Sequence, residues 1–89
     1  HLLDLQEEQL EIIEMLLGKD SSVTGRRVGD LQMPEGSLLI SVLRAGKGFV
    51  PNADTVLEEG DEILAVLDPG KEEDLKALFG PQGNGTNSA

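Results

Sequence analysis

The chain has no cysteine, tryptophan or tyrosine, only two phenylalanines, and a single histidine at its first position. Without cysteine there is no disulfide, no thiolate nucleophile and no cysteine-ligated zinc, a composition that fits the cytosol. The aromatic platforms on which single-stranded bases stack are missing, and a formal net charge of −10 disfavours contact with phosphate backbones. Nucleic acid is therefore not an expected partner. His1 stands where a Met would begin a natural chain, so the sequence reads as an excised piece with a residue left from a tag. With His1 set aside, no histidine remains as a general base. No apolar run approaches the roughly 18 residues of a membrane helix, so no direct membrane insertion is expected.

What is present is aliphatic. The 89 residues suffice for one small domain, which buries only roughly 60 to 65 per cent of its unfolded surface. Its stability is marginal unless a partner covers part of it. Charge is unevenly spread. Between Lys19 and Lys47, five cations (Lys19, Arg26, Arg27, Arg44, Lys47) face three acids (Asp20, Asp30, Glu35), a local balance of +2; the remainder carries two cations against fourteen acids, −12. A small anion would bind in the middle segment, or these cations simply pair with the acidic remainder.

Along the chain, "QLEIIEMLLG" fits either a helical stripe or a strand, and the strand-rich sequence downstream of it favours the strand. "SSVTGRRVGDLQMP" reads as a short helix with Thr24 as N-cap and Pro34 as its limit. "SLLISVLR" is continuously apolar and ends at the "AGKG" turn, as a strand buried on both faces and followed by a tight hairpin does. "FVP" resumes extended chain until Pro51, which cannot donate to a ladder. Gly60 in "EEGDE" supplies the positive φ of a tight reversal into "EILAVLD", a strand apolar on both faces. "KEEDLKALFGP" opens with three acids in its first turn and stops at Gly80–Pro81, the signature of a helix. The order strand, helix, strand, strand, strand, helix predicts an α+β domain, a small mostly antiparallel sheet with two short helices on one face. Two strands apolar on both sides exceed what one helical layer hides, so a second copy is expected to cover the rest.

Catalytic chemistry finds little support. The carboxylates Asp54, Glu58, Glu59, Asp61 and Glu62 could serve as paired acids of a hydrolase or as ligands of a divalent ion. Yet "EEGDE" lacks the alternation of a calcium loop, and no aromatic lies nearby to hold a sugar. It reads as a solvated connection. "AGKG" lacks the upstream Gly and the following Ser or Thr of a phosphate loop. Arg26 and Arg27 form either an anion contact or a solvated turn, with the turn favoured. Arg44, at the end of a strand beside a turn, could reach across a two-fold interface to a phosphate or a carboxylate.

The connected order of Gly25, Arg27 through Leu31, Leu39 to Arg44, Gly46, Pro51, Asp54 with Thr55, Leu57, Gly60 with Asp61, and Ile63 to Leu67 resembles the TrkA-C domain, the C-terminal lobe of the RCK module that regulates potassium conductance. The resemblance covers about Leu10 to Phe79. It implies a regulatory, non-catalytic domain that dimerises, follows a Rossmann-type lobe and serves a potassium uptake system, channel or antiporter from the cytoplasmic side of the membrane. Residues 1–9 would be a linker from a missing N-terminal lobe, 10–80 the domain and 81–89 a disordered tail. Some members bind cyclic di-AMP in a cleft at the dimer interface. Carried over by position, that cleft would be lined by Leu39, Ile40, Val42 and Arg44, with Val50 and Pro51 opposite. No cofactor is expected in this piece; NAD(H) or ATP would belong to the missing lobe. The expected partners are a second copy and a membrane potassium transporter or channel subunit. The alternatives are a purely structural dimerisation lobe, with sensing done elsewhere, and a regulatory tail of another cation transporter or antiporter.

Overall fold

A computed structural model describes residues 10–80. The linker expected at residues 1–9 and the tail expected at 81–89 lie outside the described residues. Among the described residues, four strands, β1 (Glu11–Leu16), β2 (Ser37–Arg44), β3 (Lys47–Phe49) and β4 (Glu62–Leu67), form one antiparallel sheet in the order β1-β4-β2-β3, and an α-helix, α1 (Glu72–Phe79), follows them. This is the α+β architecture that the sequence implies, with the doubly apolar strands β2 and β4 at its centre.

Alternation along the strands sorts the side chains to two faces. Ile63, Ala65 and Leu67 of β4 point inward with Leu39 and Val42 of β2, and Leu17, Val23, Leu31, Leu57, Leu75 and Phe79 complete the buried core. Between Leu39 and Ser41 the β2–β4 register slips, so Ile40 is the extra residue of a bulge that bends the strand. The β2–β3 hairpin closes from Arg44 to Lys47 through Ala45 and Gly46. Both have positive φ, 52° and 79°, as a tight two-residue reversal in a right-twisted ribbon demands.

The segment after Thr24 differs from expectation. Only Val28–Asp30 form a single 3-10 turn, and Arg27 rather than Thr24 precedes it as the cap residue. The Thr24 hydroxyl instead donates to the carbonyl of Gly18 (3.1 Å). The cause is tertiary pairing. Residues 25–29 run beside 53–57 as a hydrogen-bonded ribbon bridged at Arg27 and Val56, with Gly25 N–H to Leu57 O at 2.7 Å, Leu57 N–H to Arg26 O at 3.0 Å, Val28 N–H to Thr55 O at 2.8 Å and Gly29 N–H to Ala53 O at 2.8 Å. Backbone groups satisfied across such a ribbon have no need of a helix.

Helix α1 packs Leu75 and Phe79 into the core. Its last carbonyls, which have no partner within a helix, are taken up by serines from a distant turn. The Ser21 hydroxyl donates to Phe79 O, the Ser22 hydroxyl to Leu78 O, and Ser22 N–H to Gly80 O.

Candidate ligand site and docking face

Helix α1, the 3-10 turn and the core lie on one side of the sheet. The other side has no layer above it among the described residues. Ile12 and Leu16 of β1 and Leu38 and Leu43 of β2 are exposed there, Leu38 at 61% and Leu43 at 41%. Register places Leu38 across from Val66 and Ile12 across from the same Val66, so an apolar row crosses three strands. The carboxylates Glu14 and Glu62 share this face, toward β1. A contiguous apolar surface of this kind on a small domain marks a place where something else packs.

A cleft of about 280 Å3 opens where β3 ends. Strand β3 pairs only with Val42–Arg44, and Pro51, unable to donate, turns the chain away from β2. The gap between the first half of β2 and the departing chain is lined by Val28, Gly29, Leu38, Leu39, Pro51 and Ala53 among others. Asn52 is held by its own turn, accepting from Asp54 N–H at 2.8 Å on its side-chain oxygen, while Asn52 N–H donates to the Thr55 hydroxyl at 2.9 Å.

Of the residues expected to line a ligand cleft, Leu39 and Pro51 border this gap and Ile40 sits at the adjoining bulge. Val50 stands 77% exposed beside it. Val42 and Arg44 lie elsewhere. Val42 is fully buried, because alternation turns it to the core when Leu43 faces out.

Arg44 is engaged within its own chain. Its Nε donates to Asp61 Oδ1 and its Nη2 to Asp61 Oδ2, both at 2.8 Å; Nη2 also donates to Val56 O at 2.8 Å, and Nη1 lies 3.2 Å from Glu58 Oε2. The guanidinium carbon stands 5.1 Å from the centre of the Phe49 ring, within reach of a cation–π attraction. Asp61 is fully buried and accepts a further bond from Glu58 N–H at 2.9 Å. Hydrogen bonding from Arg44 holds the Asp61 carboxyl below the usual carboxylate range, burial pushes it upward, and the Glu58 amide adds to the lowering. Donating to Asp61 raises the Arg44 pKa in turn. Pulling Arg44 away to meet a ligand would leave a buried charge without a partner, a penalty of about 3–5 kcal/mol.

The reversal read from "EEGDE" is present. Gly60 has φ 89°, its N–H donates to Leu17 O at 2.8 Å, and Asp61 N–H donates to Glu58 O at 3.1 Å. Among the described residues no group of three carboxylates or imidazoles converges to hold a metal. Arg26 and Arg27 are likewise occupied, Arg26 by Asp30 O at 2.8 Å and Arg27 by Asp30 and by Asp54 at 3.2 Å. What sequence reasoning missed is the Arg44–Asp61 pair, 17 positions apart, and Leu38, whose side chain borders both the cleft and the open face. Strand parity could have flagged Leu38, but the bulge at Ile40 obscures it.

Against this geometry, known proteins align throughout. The TrkA-C domain family model matches residues 12–80. The Trk system potassium uptake protein TrkA of Mycobacterium tuberculosis (strain ATCC 25618 / H37Rv) is 35% identical over 80 residues, 90% of this chain and 36% of that protein. A Trk system potassium uptake protein TrkA homolog of Archaeoglobus fulgidus is 34% identical over 73 residues, 82% of this chain and 17% of that one. The chain thus spans well under half the length of either relative. Among solved structures, the RCK_C domain dimer of S. agalactiae BusR in complex with c-di-AMP superposes with a TM-score of 0.66 at 27% identity, covering 76% of this chain and 93% of that one.

Proposed function

Because the chain belongs to the TrkA-C domain family, we propose that it is a regulatory, non-catalytic lobe of a potassium transport system, dimerising through the open face of its sheet and sensing a ligand held between the two copies. It works at the cytoplasmic side of the membrane, through contact with a transporter or channel subunit rather than by insertion. Residues 10–80 are its folded unit.

The observation that carries this reading is the apolar row of Leu38, Val66 and Ile12 across the open face, adjoining the cleft at Pro51. An isologous interface presents the same patch twice, and a cyclic dinucleotide with two like halves matches that symmetry. One cleft of about 280 Å3 is at the small end for a ligand pocket, so a ligand the size of cyclic di-AMP needs the space of both copies. The BusR RCK_C domain, similar in fold, is in complex with c-di-AMP as a dimer, which supports the class of ligand. Leu39, Ile40, Val50 and Pro51, joined by Leu38, supply the apolar contacts; Val42 backs them from the core. The ligand changes transport by favouring one dimer geometry, and only by its differential affinity for the two geometries.

Isothermal calorimetry of the chain with cyclic di-AMP, with ATP and NADH as controls, tests the proposal. Binding at one ligand per two chains is the expected result. Absence of heat across several temperatures, with a dimer still present in sedimentation, would replace it with a dimerisation lobe whose signal is sensed elsewhere in the parent protein.

A further inference from the structure

We infer that Arg44 is a positioning residue for the cleft: it fixes the outer wall at a set distance from β2 and does not itself touch the ligand. Its consequence for affinity rests on the ligand reading of the proposed function; the mechanical part stands on geometry alone.

The outer wall of the cleft is the ribbon of residues 25–29 and 53–57. Four backbone hydrogen bonds make it a stiff unit. It carries Val28, Gly29 and Ala53 into the cleft, while the inner wall is the first half of β2. Between these walls the β2–β3 ladder has ended, so no backbone pairing sets their spacing. Among the described residues, Arg44 is the one side chain of the sheet that hydrogen-bonds to the ribbon, through Val56 O at 2.8 Å.

That bond is rigid because of what holds the other end. A guanidinium has five N–H donors in a planar fork. In Arg44 one goes from Nε and one from Nη2 to the buried Asp61 carboxylate, the second Nη2 donor goes to Val56 O, and Nη1 faces Glu58. Asp61 is itself fixed at the start of β4 by its backbone carbonyl, which accepts from Leu17 N–H at 2.9 Å, and by Glu58 N–H on its carboxylate. Phe49 lies against the guanidinium on β3. Arg44 therefore joins β2, β3, the entry to β4 and the ribbon at one point. A single Nη1 donor is left over. That is too few for the bidentate grip through which arginine binds a phosphate.

The test uses the 89-residue chain with Arg44→Lys, which keeps the charge but loses the fork, and Asp61→Asn, which removes the anchor's charge. Hydrogen exchange is followed at the ribbon amides Gly25, Val28, Gly29 and Leu57 and at the β4 amides as an internal reference. Both variants are expected to speed exchange at the ribbon about tenfold more than at β4, whose amides follow only the global loss of stability. Ribbon exchange that stays as in the native chain, or β4 exchange that rises in step with it, overturns the strut.

Cyclic di-AMP titrations of the native chain and Asp61→Asn give the second readout, and its sign is diagnostic. A positioning Arg44 loses its anchor in Asp61→Asn, so affinity falls about tenfold. An Arg44 that binds the phosphate directly would be released from a competing carboxylate, so affinity would hold or rise, and that result overturns the inference. If the native chain binds no cyclic dinucleotide, the ligand reading fails, while the exchange comparison still decides the role of Arg44.

Discussion

Arg44 and Asp61 meet in a two-pronged ion pair, Nε to Oδ1 and Nη2 to Oδ2 at 2.8 Å each, with the carboxylate fully buried and the arginine side chain 30% exposed. The asymmetry in exposure sets the energetic consequence. Arg44→Met strands a buried carboxylate and is expected to destabilise the fold by about 3 kcal/mol. Asp61→Asn leaves a partly exposed cation that water can solvate and keeps an acceptor for Glu58 N–H, so a loss of about 1–2 kcal/mol is expected. The double variant should lose less than the two separate losses combined. Urea unfolding followed by far-ultraviolet circular dichroism measures all three, since the chain has no tryptophan to report by fluorescence.

The same pair makes acid stability predictable in sign. The folded Asp61 carboxyl is held below its ordinary value, chiefly by Arg44. Its contribution is therefore complete above the unfolded pKa of about 4 and is lost as pH falls through the lowered folded value. The native chain should lose stability steeply from about pH 4 downward, and Asp61→Asn should lose less over that window. Equal slopes in denaturation series from about pH 6 to about pH 2 would contradict the assignment to Asp61.

The open sheet face predicts a separable defect. Leu43 is exposed on β2 opposite Glu62 and belongs to no part of the core, so Leu43→Glu should change the unfolding midpoint little at concentrations where the chain is monomeric. If this face joins two copies, an added carboxylate beside Glu62 would weaken the dimer by about thirtyfold, the effect of a hot-spot substitution of about 2 kcal/mol. Sedimentation equilibrium reads this directly. A dimer that survives Leu43→Glu with unchanged affinity would move the interface elsewhere.

How much of this was legible in sequence depends on the range of the forces involved. Strand β4 was readable because "EILAVLD" is apolar at both parities and Gly60 announces its start. Helix α1 was readable from its acidic first turn and Gly80 stop. The hairpin needed only "AGKG". By contrast, Thr24 to Pro34 carries local helix signals that lose to the pairing of residues 25–29 with 53–57, a contact that no local pattern encodes. The site was half legible for the same reason. Pro51 marks where β2 loses its partner, but that Arg44 is consumed by Asp61, and that Ile40 is a bulge which reassigns the parity of the residues before it, emerges only once the sheet is assembled.

Gly29 offers the sharpest test of how closely the cleft wall is built. A Cβ placed there would lie 3.0 Å from both the Cβ and the carbonyl oxygen of Ala53, the same carbonyl that accepts Gly29 N–H at 2.8 Å. Neither atom is the end of a flexible side chain, so Gly29→Ala must push the ribbon strands apart, at about 1–3 kcal/mol by the usual cost of overpacking. Adding Ala53→Gly removes one of the two clashing atoms and leaves the other. The double variant should recover part of the loss and not all of it, in unfolding midpoints and in the protection of the Gly29 amide alike. Full recovery would show that the carbonyl contact is relieved without cost; no recovery would show that the wall is set by the backbone alone.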